Sequence, residues 1–240
     1  MFKGGFVLLK TIITTRFTKD LDAVIVGLSQ TESSLLIQEA LKIDLDDGIW
    51  YGESKIDELA QSPYPGLRFS IPFQIGEPPP TKGGISKLSQ IYIDVVVDSY
   101  FDQVNVSAKI MPSLLSTDKP VSWLIYPPEY IFSEKLEALI SLGSFSSRAK
   151  DIYDLVILHN ECNNFQLLWE AIETTFRVRQ TILPTSIHKT VVLFNLTALR
   201  KAWINISKNM NNILFDDVWL IFLDILKKID KSRIGYRKVN

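Results

Sequence analysis

The sequence contains very little cysteine and histidine. Its single cysteine, Cys162, excludes an internal disulfide framework and suits a reducing compartment. Only His159 and His188 accompany it, and no metal-ligand spacing surrounds the cysteine, so a zinc site is not expected. We interpret Cys162 as a small residue near a helix end.

Long apolar runs and an excess of charge are also absent. No apolar stretch approaches the roughly 20 residues that span a bilayer, and the nearest candidate, residues 218–226, is interrupted by Asp224. Gly4 and Gly5 interrupt the first residues where a signal peptide needs its apolar core. The net charge of −1 supplies no global basic field for nucleic acid. We therefore expect a soluble cytoplasmic protein with no membrane partner.

The pattern of the chain changes near Pro127-Pro128. Before this point, short β-branched segments alternate with turn signals, whereas helical periodicity dominates after it. This order favours an α+β fold. We expect a mixed β-sheet head with flanking helices over residues 1–126, followed by a C-terminal helical bundle over residues 127–240.

Individual elements follow from the same periodicities. Strands are predicted at residues 21–26, 66–75, 91–97 and 121–126, and residues 77–84 form a proline- and glycine-rich loop. Helices are predicted at residues 6–13, 33–43, 129–142, 147–159, 165–177, 196–209 and 215–228. Thr31 or Ser33 is the predicted cap of the second helix.

Three aspartates stand beside or inside apolar, β-branched segments. Asp20 and Asp22 would share one face of a strand, because strand side chains alternate, and Asp94 lies within the run at residues 91–97. A buried acid is costly unless it is paired or bound to a metal. Two-metal phosphoryl transfer needs about three such carboxylates, whose hard oxygens suit magnesium. The alternatives are a chance Asp-x-Asp pair and a solvated Asp94 on an exposed strand face.

Four segments between residues 3 and 155 form one set of motifs. Lys3-Gly-Gly5, followed by Arg16-Phe-Thr-Lys-Asp-Leu-Asp22, is the first, and Ile91-Tyr-Ile-Asp-Val-Val-Val97 is the second. Ser133-Glu-Lys-Leu-Glu-Ala-Leu139 and Ser147-Arg-Ala-Lys-Asp-Ile-Tyr-Asp-Leu155 are the other two. In this order they resemble the motifs of the AbiEii/AbiGii toxin-type nucleotidyltransferases, a family of the polymerase-β-like nucleotidyltransferase superfamily. The resemblance implies that the mixed β-sheet head of residues 1–126 is of the nucleotidyltransferase type, whereas the C-terminal third resembles the family only in being helical.

The resemblance implies a chemistry centred on the three aspartates. A nucleoside monophosphate would pass from an NTP to an acceptor hydroxyl with Mg²⁺, or Mn²⁺, as the metal. Asp20 and Asp22 would bind the metal, and Asp94 would assist them or activate the attacking hydroxyl. Gly4 and Gly5 would begin a helix whose N–H groups approach the triphosphate, since glycine permits that approach and a helix N-terminus favours anions.

The resemblance also assigns roles to three charged residues of the helical half. Lys135 would meet the phosphates as a point charge, Asp151 would be the acid of the last motif, and Arg148 would contact phosphate. The residues alone leave a structural alternative open, in which Lys135 is solvated and Arg148 pairs with Asp151 or Asp154 at helical spacing.

The sequence departs from the family pattern in two places. Relatives usually carry a helical segment before the Gly-Gly motif, whereas this chain begins almost on it. Many relatives also have a serine where this chain has Gly5. For the first departure, either the start of the chain is truncated or something else covers that surface. The second departure bears on how the triphosphate is held.

The biological role implied is the toxin component of a toxin–antitoxin or phage abortive-infection system. Its partners would be a cognate antitoxin and an acceptor such as tRNA. The C-terminal cations could bind RNA phosphates or simply complement a helix end: Lys227, Lys228, Lys231, Arg233, Arg237 and Lys238. Two other functions remain open, a small-molecule nucleotidyltransferase of the antibiotic-modifying kind and a non-catalytic nucleotide- or partner-binding module.

Overall fold

The structure, a computed structural model, describes residues 1–12, 18, 20–59, 66–76, 84–97, 107–111, 120–208 and 212–236, except for the side chains of residues 86, 107, 111 and 234–236. Parts of the predicted first motif (residues 13–17 and 19), most of the predicted loop (77–83) and the tail cations Arg237 and Lys238 lie outside the described residues. The chain divides into two compact units that meet in sequence between Tyr126 and Pro127. Within the described part, no helix has both the length and the apolar character of a membrane span.

Unit 1 consists of a mixed sheet with two helices. Its elements in chain order are β1 (Phe2–Lys3), α1 (Gly4–Thr11), β2 (Asp20–Ile25), α2 (Gln30–Leu41), β3 (Ile49–Tyr51), β4 (Lys55–Glu58), β5 (Gly66–Ile75), a 3₁₀ turn (Ile85–Lys87), β6 (Gln90–Val97), β7 (Ser107–Met111) and β8 (Val121–Ile125). Among the described residues the sheet has eight strands. Seven run in the order β3-β5-β6-β2-β1-β8-β7, and the eighth, β4, pairs with β5.

The central strands combine parallel and antiparallel pairing. β2 is parallel to β6 and antiparallel to β1, whereas β6 is antiparallel to β5. Alternation along these strands gives the sheet two chemically different faces. One face carries an apolar cluster of Leu67, Phe69, Ile71 and Val95, against which Ile37 and Leu41 of α2 pack. Intervening residues, including the three aspartates, lie on the other face.

Unit 2 consists of helices. They are α3 (Pro128–Leu142), a 3₁₀ turn (Gly143–Phe145), α4 (Ala149–His159), α5 (Phe165–Val178), α6 (Ile187–Val192), α7 (Thr197–Ser207) and α8 (Phe215–Tyr236). α3 packs on α4 and α5, and α8 packs on α4, α5 and α6. The fully buried side chains at these contacts include Leu136, Trp169 and Phe222. The mixed sheet with flanking helices, followed by helices alone, confirms the predicted α+β fold class.

The starts of both helices of unit 1 differ from the prediction made from periodicity. α1 begins at Gly4 instead of residue 6. α2 is capped by Ser29 and not by Thr31 or Ser33, because the Ser29 hydroxyl accepts from the N–H of Glu32 while the Glu32 carboxylate accepts from the N–H of Ser29. This reciprocal pair is a capping box, and its Ser-x-x-Glu spacing was present in the sequence.

Candidate active site

The three aspartates lie on one face of the central strands of unit 1. Asp22 of β2 is the direct register partner of Asp94 on β6, and Asp20 is the partner of Tyr92. Neighbouring strands are about 4.8 Å apart, so the backbones of Asp22 and Asp94 are side by side. Asp20 occupies the same face two residues before Asp22. The structure therefore brings the predicted carboxylates onto adjacent strands.

The register extends this arrangement into a charged row across five adjacent strands. Lys3 of β1 pairs with Asp22, Asp94 pairs with Arg68 of β5, and Arg68 pairs with Asp57 of β4. Side chains at directly paired positions point to the same face. Two adjacent acids thus lie between two cations, and a third acid follows on the outer strand. We call these five residues, in the order Lys3, Asp22, Asp94, Arg68 and Asp57, the charged row.

Arg68 binds the carboxylate of Asp94 through both of its oxygens. The Arg68 Nε donates to Asp94 Oδ1 at 2.7 Å and its Nη2 donates to Oδ2 at 2.6 Å. This forked geometry is the strong form of an arginine–carboxylate pair. The side chain of Asp94 is 15% exposed and that of Arg68 is 42% exposed. The pair offsets the cost of placing an acid within an apolar strand.

The charges of the other two aspartates also affect the pKa of Arg68. Its pKa is raised above the ordinary value for arginine, first by the hydrogen bond to Asp94 and further by the negative charges of Asp94, Asp20 and Asp22. Its guanidinium lies 5.7 Å from the centroid of the Tyr92 ring on β6. Sequence reasoning missed Arg68, although a lone cation in the alternating segment 66–75 gives the same signal as Asp94 does in its own strand.

The start of α1 lies against Asp22. Gly4 has φ +67°, and a Cβ added there would be 2.0 Å from Asp22 Oδ2 and 2.8 Å from its Cγ. A side chain therefore has no room at this position, and the backbone conformation itself favours glycine. Gly5, the next residue, is buried. The predicted Gly-Gly motif is thus a helix start adjacent to a catalytic carboxylate candidate, where the helix dipole favours negative charge.

The fit of this site to a metal ion is mixed. Its donor atoms are carboxylate oxygens, which suit magnesium or manganese. Within the described residues, however, no three His, Cys, Asp or Glu side chains form a group that could hold an ion. Both oxygens of Asp94 accept from Arg68 in this arrangement, so Asp94 is engaged by a protein cation instead.

The predicted site residues of unit 2 form an ionic cluster of their own, which is buried except for the Arg148 side chain. Lys135 Nζ on α3 lies 2.7 Å from Asp151 Oδ1 and 2.9 Å from Asp154 Oδ2, both on α4. Arg148, at the N-cap of α4, binds the other oxygen of Asp151. The exposed fractions are 11% for the Lys135 side chain and 0% for Asp154. The helical pairing considered from the sequence, Arg148 with Asp151, is therefore present.

Charge compensation keeps Asp151 ionised despite its burial. Burial alone would raise the pKa of the Asp151 carboxyl, but the charges and hydrogen bonds of Lys135 and Arg148 outweigh it and lower that pKa below the ordinary value. Removing one partner of such a buried pair leaves an uncompensated charge, so the cluster constrains substitution of any of its members. The contacts of this cluster hold α3 to α4.

The sequence matches the model of a family described as nucleotidyl transferase AbiEii toxin, of type IV toxin–antitoxin systems, over residues 1–221. The chain belongs to this family. It is accordingly a nucleotidyltransferase of a toxin–antitoxin family. The match covers both units and all of the predicted site residues.

Other comparisons add little to the family assignment. Among solved structures, an antigenic nucleotidyltransferase-like protein from Paracoccidioides brasiliensis is similar to this chain, with 14% sequence identity and a TM-score of 0.39. That likeness covers 78% of this chain and 86% of the other. A search of curated proteins found no match.

Proposed function

We propose that this AbiEii-family protein transfers a nucleoside monophosphate from an NTP to an acceptor hydroxyl and releases pyrophosphate. The observation that carries the proposal is the direct register of Asp22 with Asp94, with Asp20 on the same face and the start of α1 against Asp22. Positioning and electrostatic stabilisation do most of the work in phosphoryl-type transfer, and both require rigidly placed carboxylates. Strands in the middle of a sheet supply that rigidity.

Magnesium, or manganese, is the proposed metal. Asp20 and Asp22 would hold it, and Asp94 would assist them or accept the proton of the attacking hydroxyl. The metal would neutralise charge that develops on the phosphoryl oxygens. The hard oxygen donors of the three aspartates support this assignment. Arg68, however, already donates to both oxygens of Asp94, so an ion at Asp94 would meet a protein cation.

The triphosphate is proposed to approach the start of α1. Gly4 and Gly5 carry no side chain that would block the backbone N–H groups there, and a helix N-terminus attracts anions. Lys135, Arg148 and Asp151 are proposed to act in the same reaction on the strength of the family motifs. Their ionic cluster gives a competing structural explanation for the same residues, which a stability measurement can separate from catalysis.

For the acceptor we propose tRNA, and for the biological role the toxin half of a pair with a cognate antitoxin. The family description supports the toxin role. Among the described C-terminal cations, Lys227, Lys228 and Lys231 are exposed. Arg233 is not available to RNA, because it is 8% exposed and donates to the carbonyls of Pro184 and Thr185.

The test is label transfer from each of the four NTPs, with Mg²⁺, to total tRNA or to an aminoglycoside. We expect transfer to tRNA, and we expect Asp22→Asn to reduce it by at least about 100-fold, as loss of a metal ligand should. Asp57→Asn is the matched control, since Asp57 lies in the same charged row but three strands from Asp22.

Three results would decide against parts of the proposal. Transfer to the aminoglycoside alone would reassign the acceptor to a small molecule. Nucleotide binding without transfer to either acceptor would indicate a binding module. Equal loss of activity in Asp22→Asn and Asp57→Asn would show that the effect is not specific to the proposed metal ligands.

A further inference from the structure

The pair of Arg68 with Asp94 is unusual in its position. Arg68 is a cation on β5 whose two hydrogen bonds occupy both oxygens of the carboxylate that directly neighbours Asp22. An ion bridging Asp22 and Asp94 needs at least one oxygen of Asp94. Arg68 and the ion would therefore share an oxygen of Asp94, where their two positive charges repel each other.

We propose that Arg68 is a positioning residue that competes with the divalent cation for Asp94. It neutralises and orients Asp94, and an ion that binds there must either displace one of its two hydrogen bonds or share that oxygen against the charge of the guanidinium. This proposal rests on the proposed function, because it concerns the same metal site.

Two further observations favour competition between Arg68 and the cation over a role in which Arg68 only holds Asp94 in place. The guanidinium lies on the same face of the sheet as all three aspartates, so its charge also opposes a cation bound near them. Its side chain is 42% exposed, and its other near neighbour in the charged row is Asp57 on β4. An exposed arginine with a second acid beside it can leave Asp94 without becoming a buried, unpaired charge.

The test measures Mn²⁺ binding directly, by electron paramagnetic resonance of the free ion, on the full chain without nucleotide. Arg68→Gln is expected to bind Mn²⁺ about tenfold more tightly than the unaltered chain, since a charge-assisted pair no longer competes for the ligand. Arg68→Lys should give a smaller gain, because lysine keeps the charge but lacks the fork that holds both oxygens.

Two variants serve as controls. Lys55→Gln removes one positive charge from the same face, on β4, where Lys55 pairs with Asp57 at 2.8 Å. It should leave Mn²⁺ affinity within about twofold, since β4 is three strands from β2 and exposed charges more than about 10 Å apart are largely screened. Arg68→Gln combined with Asp94→Asn should lose the tenfold gain, because the freed carboxylate is then absent.

The outcomes separate this inference from the proposed function. Unchanged or weaker Mn²⁺ binding in both Arg68 variants, with Asp22-dependent binding in the unaltered chain, overturns the competition and leaves the metal site standing. Failure of every protein to bind Mn²⁺ overturns both. If Arg68→Gln unfolds, Arg68→Lys decides the question alone, since a supporting role predicts weaker binding where competition predicts tighter.

Discussion

At the scale of single residues, a substitution at Gly4 has two separable effects, the strain of its positive φ and a clash with the side chain of Asp22. Gly4→Ala places a Cβ 2.0 Å from Asp22 Oδ2, so the Asp22 side chain has to rotate away. We expect the variant to lose about 1–2 kcal/mol of unfolding free energy from the positive φ. Nucleotidyl transfer should fall about 100-fold from the displaced carboxylate. Urea unfolding and label transfer measure the two effects separately.

Gly27→Ala is the matched control for Gly4. Gly27 has a similar φ of +80°, and a Cβ added there meets no described atom within 4 Å. It should therefore show the same loss of stability with its transfer activity retained. Equal losses of activity in both variants would show that backbone strain, and not the contact with Asp22, limits the reaction.

Lys135 tests whether the second ionic cluster acts in structure or in chemistry. Lys135→Met leaves the buried carboxylates of Asp151 and Asp154 without their shared cation. Breaking a buried ion pair on one side costs about 3 kcal/mol or more, and we expect that loss in urea unfolding. The family motifs predict that the variant also lacks transfer activity, even when it is assayed well below its melting temperature and is still folded.

The control for Lys135 is Lys228→Met, which removes an exposed lysine paired with Asp224 at i, i+4. It should change stability little, because exposed helix pairs contribute little. Retention of transfer by folded Lys135→Met would confine Lys135 to a structural role and remove it from the proposed active site.

At the scale of elements, alternation within a strand was predictable but pairing between strands was not. A period of two placed Asp20 and Asp22 on one face from the sequence alone. That Asp94 would lie directly beside Asp22, with Arg68 on its other side, depends on the register of β2, β6 and β5. Register is fixed by long-range packing of the apolar face, which no local pattern specifies. Arg68 was missed for this reason.

The helical motifs show the same division between local and long-range information. The pairing of Arg148 with Asp151 is three residues apart and follows from helix geometry. The contact of Lys135 with Asp151 spans 16 positions and depends on how α3 packs on α4. The family motifs therefore indicated these residues as a group, and helical spacing indicated the pair of Arg148 with Asp151. The contact of Lys135 with Asp151 could be seen only in the fold.

The capping box of α2 provides a prediction for a single element. Ser29→Ala removes the hydroxyl that accepts from the Glu32 N–H and donates to its carboxylate at 2.6 Å. We expect a loss of about 1 kcal/mol of unfolding free energy in urea. Ser34→Ala makes the same chemical change inside α2, where the hydroxyl only accepts from Gln38, and should cost less. A larger loss at Ser34 would show that the cap does not limit this helix.

At the scale of the whole molecule, each unit has its own buried core. The core of unit 2 includes Leu136, Trp169 and Phe222, all contributed by residues after Pro127. Trp169 also donates from its Nε1 to the Ser232 hydroxyl at 2.9 Å, and the Arg233 guanidinium lies 4.8 Å from its ring. A domain that completes its core internally should fold by itself.

We therefore expect residues 127–240, expressed alone, to fold into a helical protein with a cooperative urea transition and no transfer activity, because Asp20, Asp22 and Asp94 are absent from it. Circular dichroism at 222 nm follows the transition.

Trp169→Ala in the same fragment should lower the free energy of unfolding by about 3–5 kcal/mol, the usual cost of deleting a large buried aromatic side chain, and should shift the midpoint to lower urea. A fragment that is helical but unfolds without a cooperative transition, and that Trp169→Ala leaves unchanged, would mean that the helical core forms only in the presence of residues 1–126. The predicted division of the chain at residue 126 would then describe its structure but not its independent folding units.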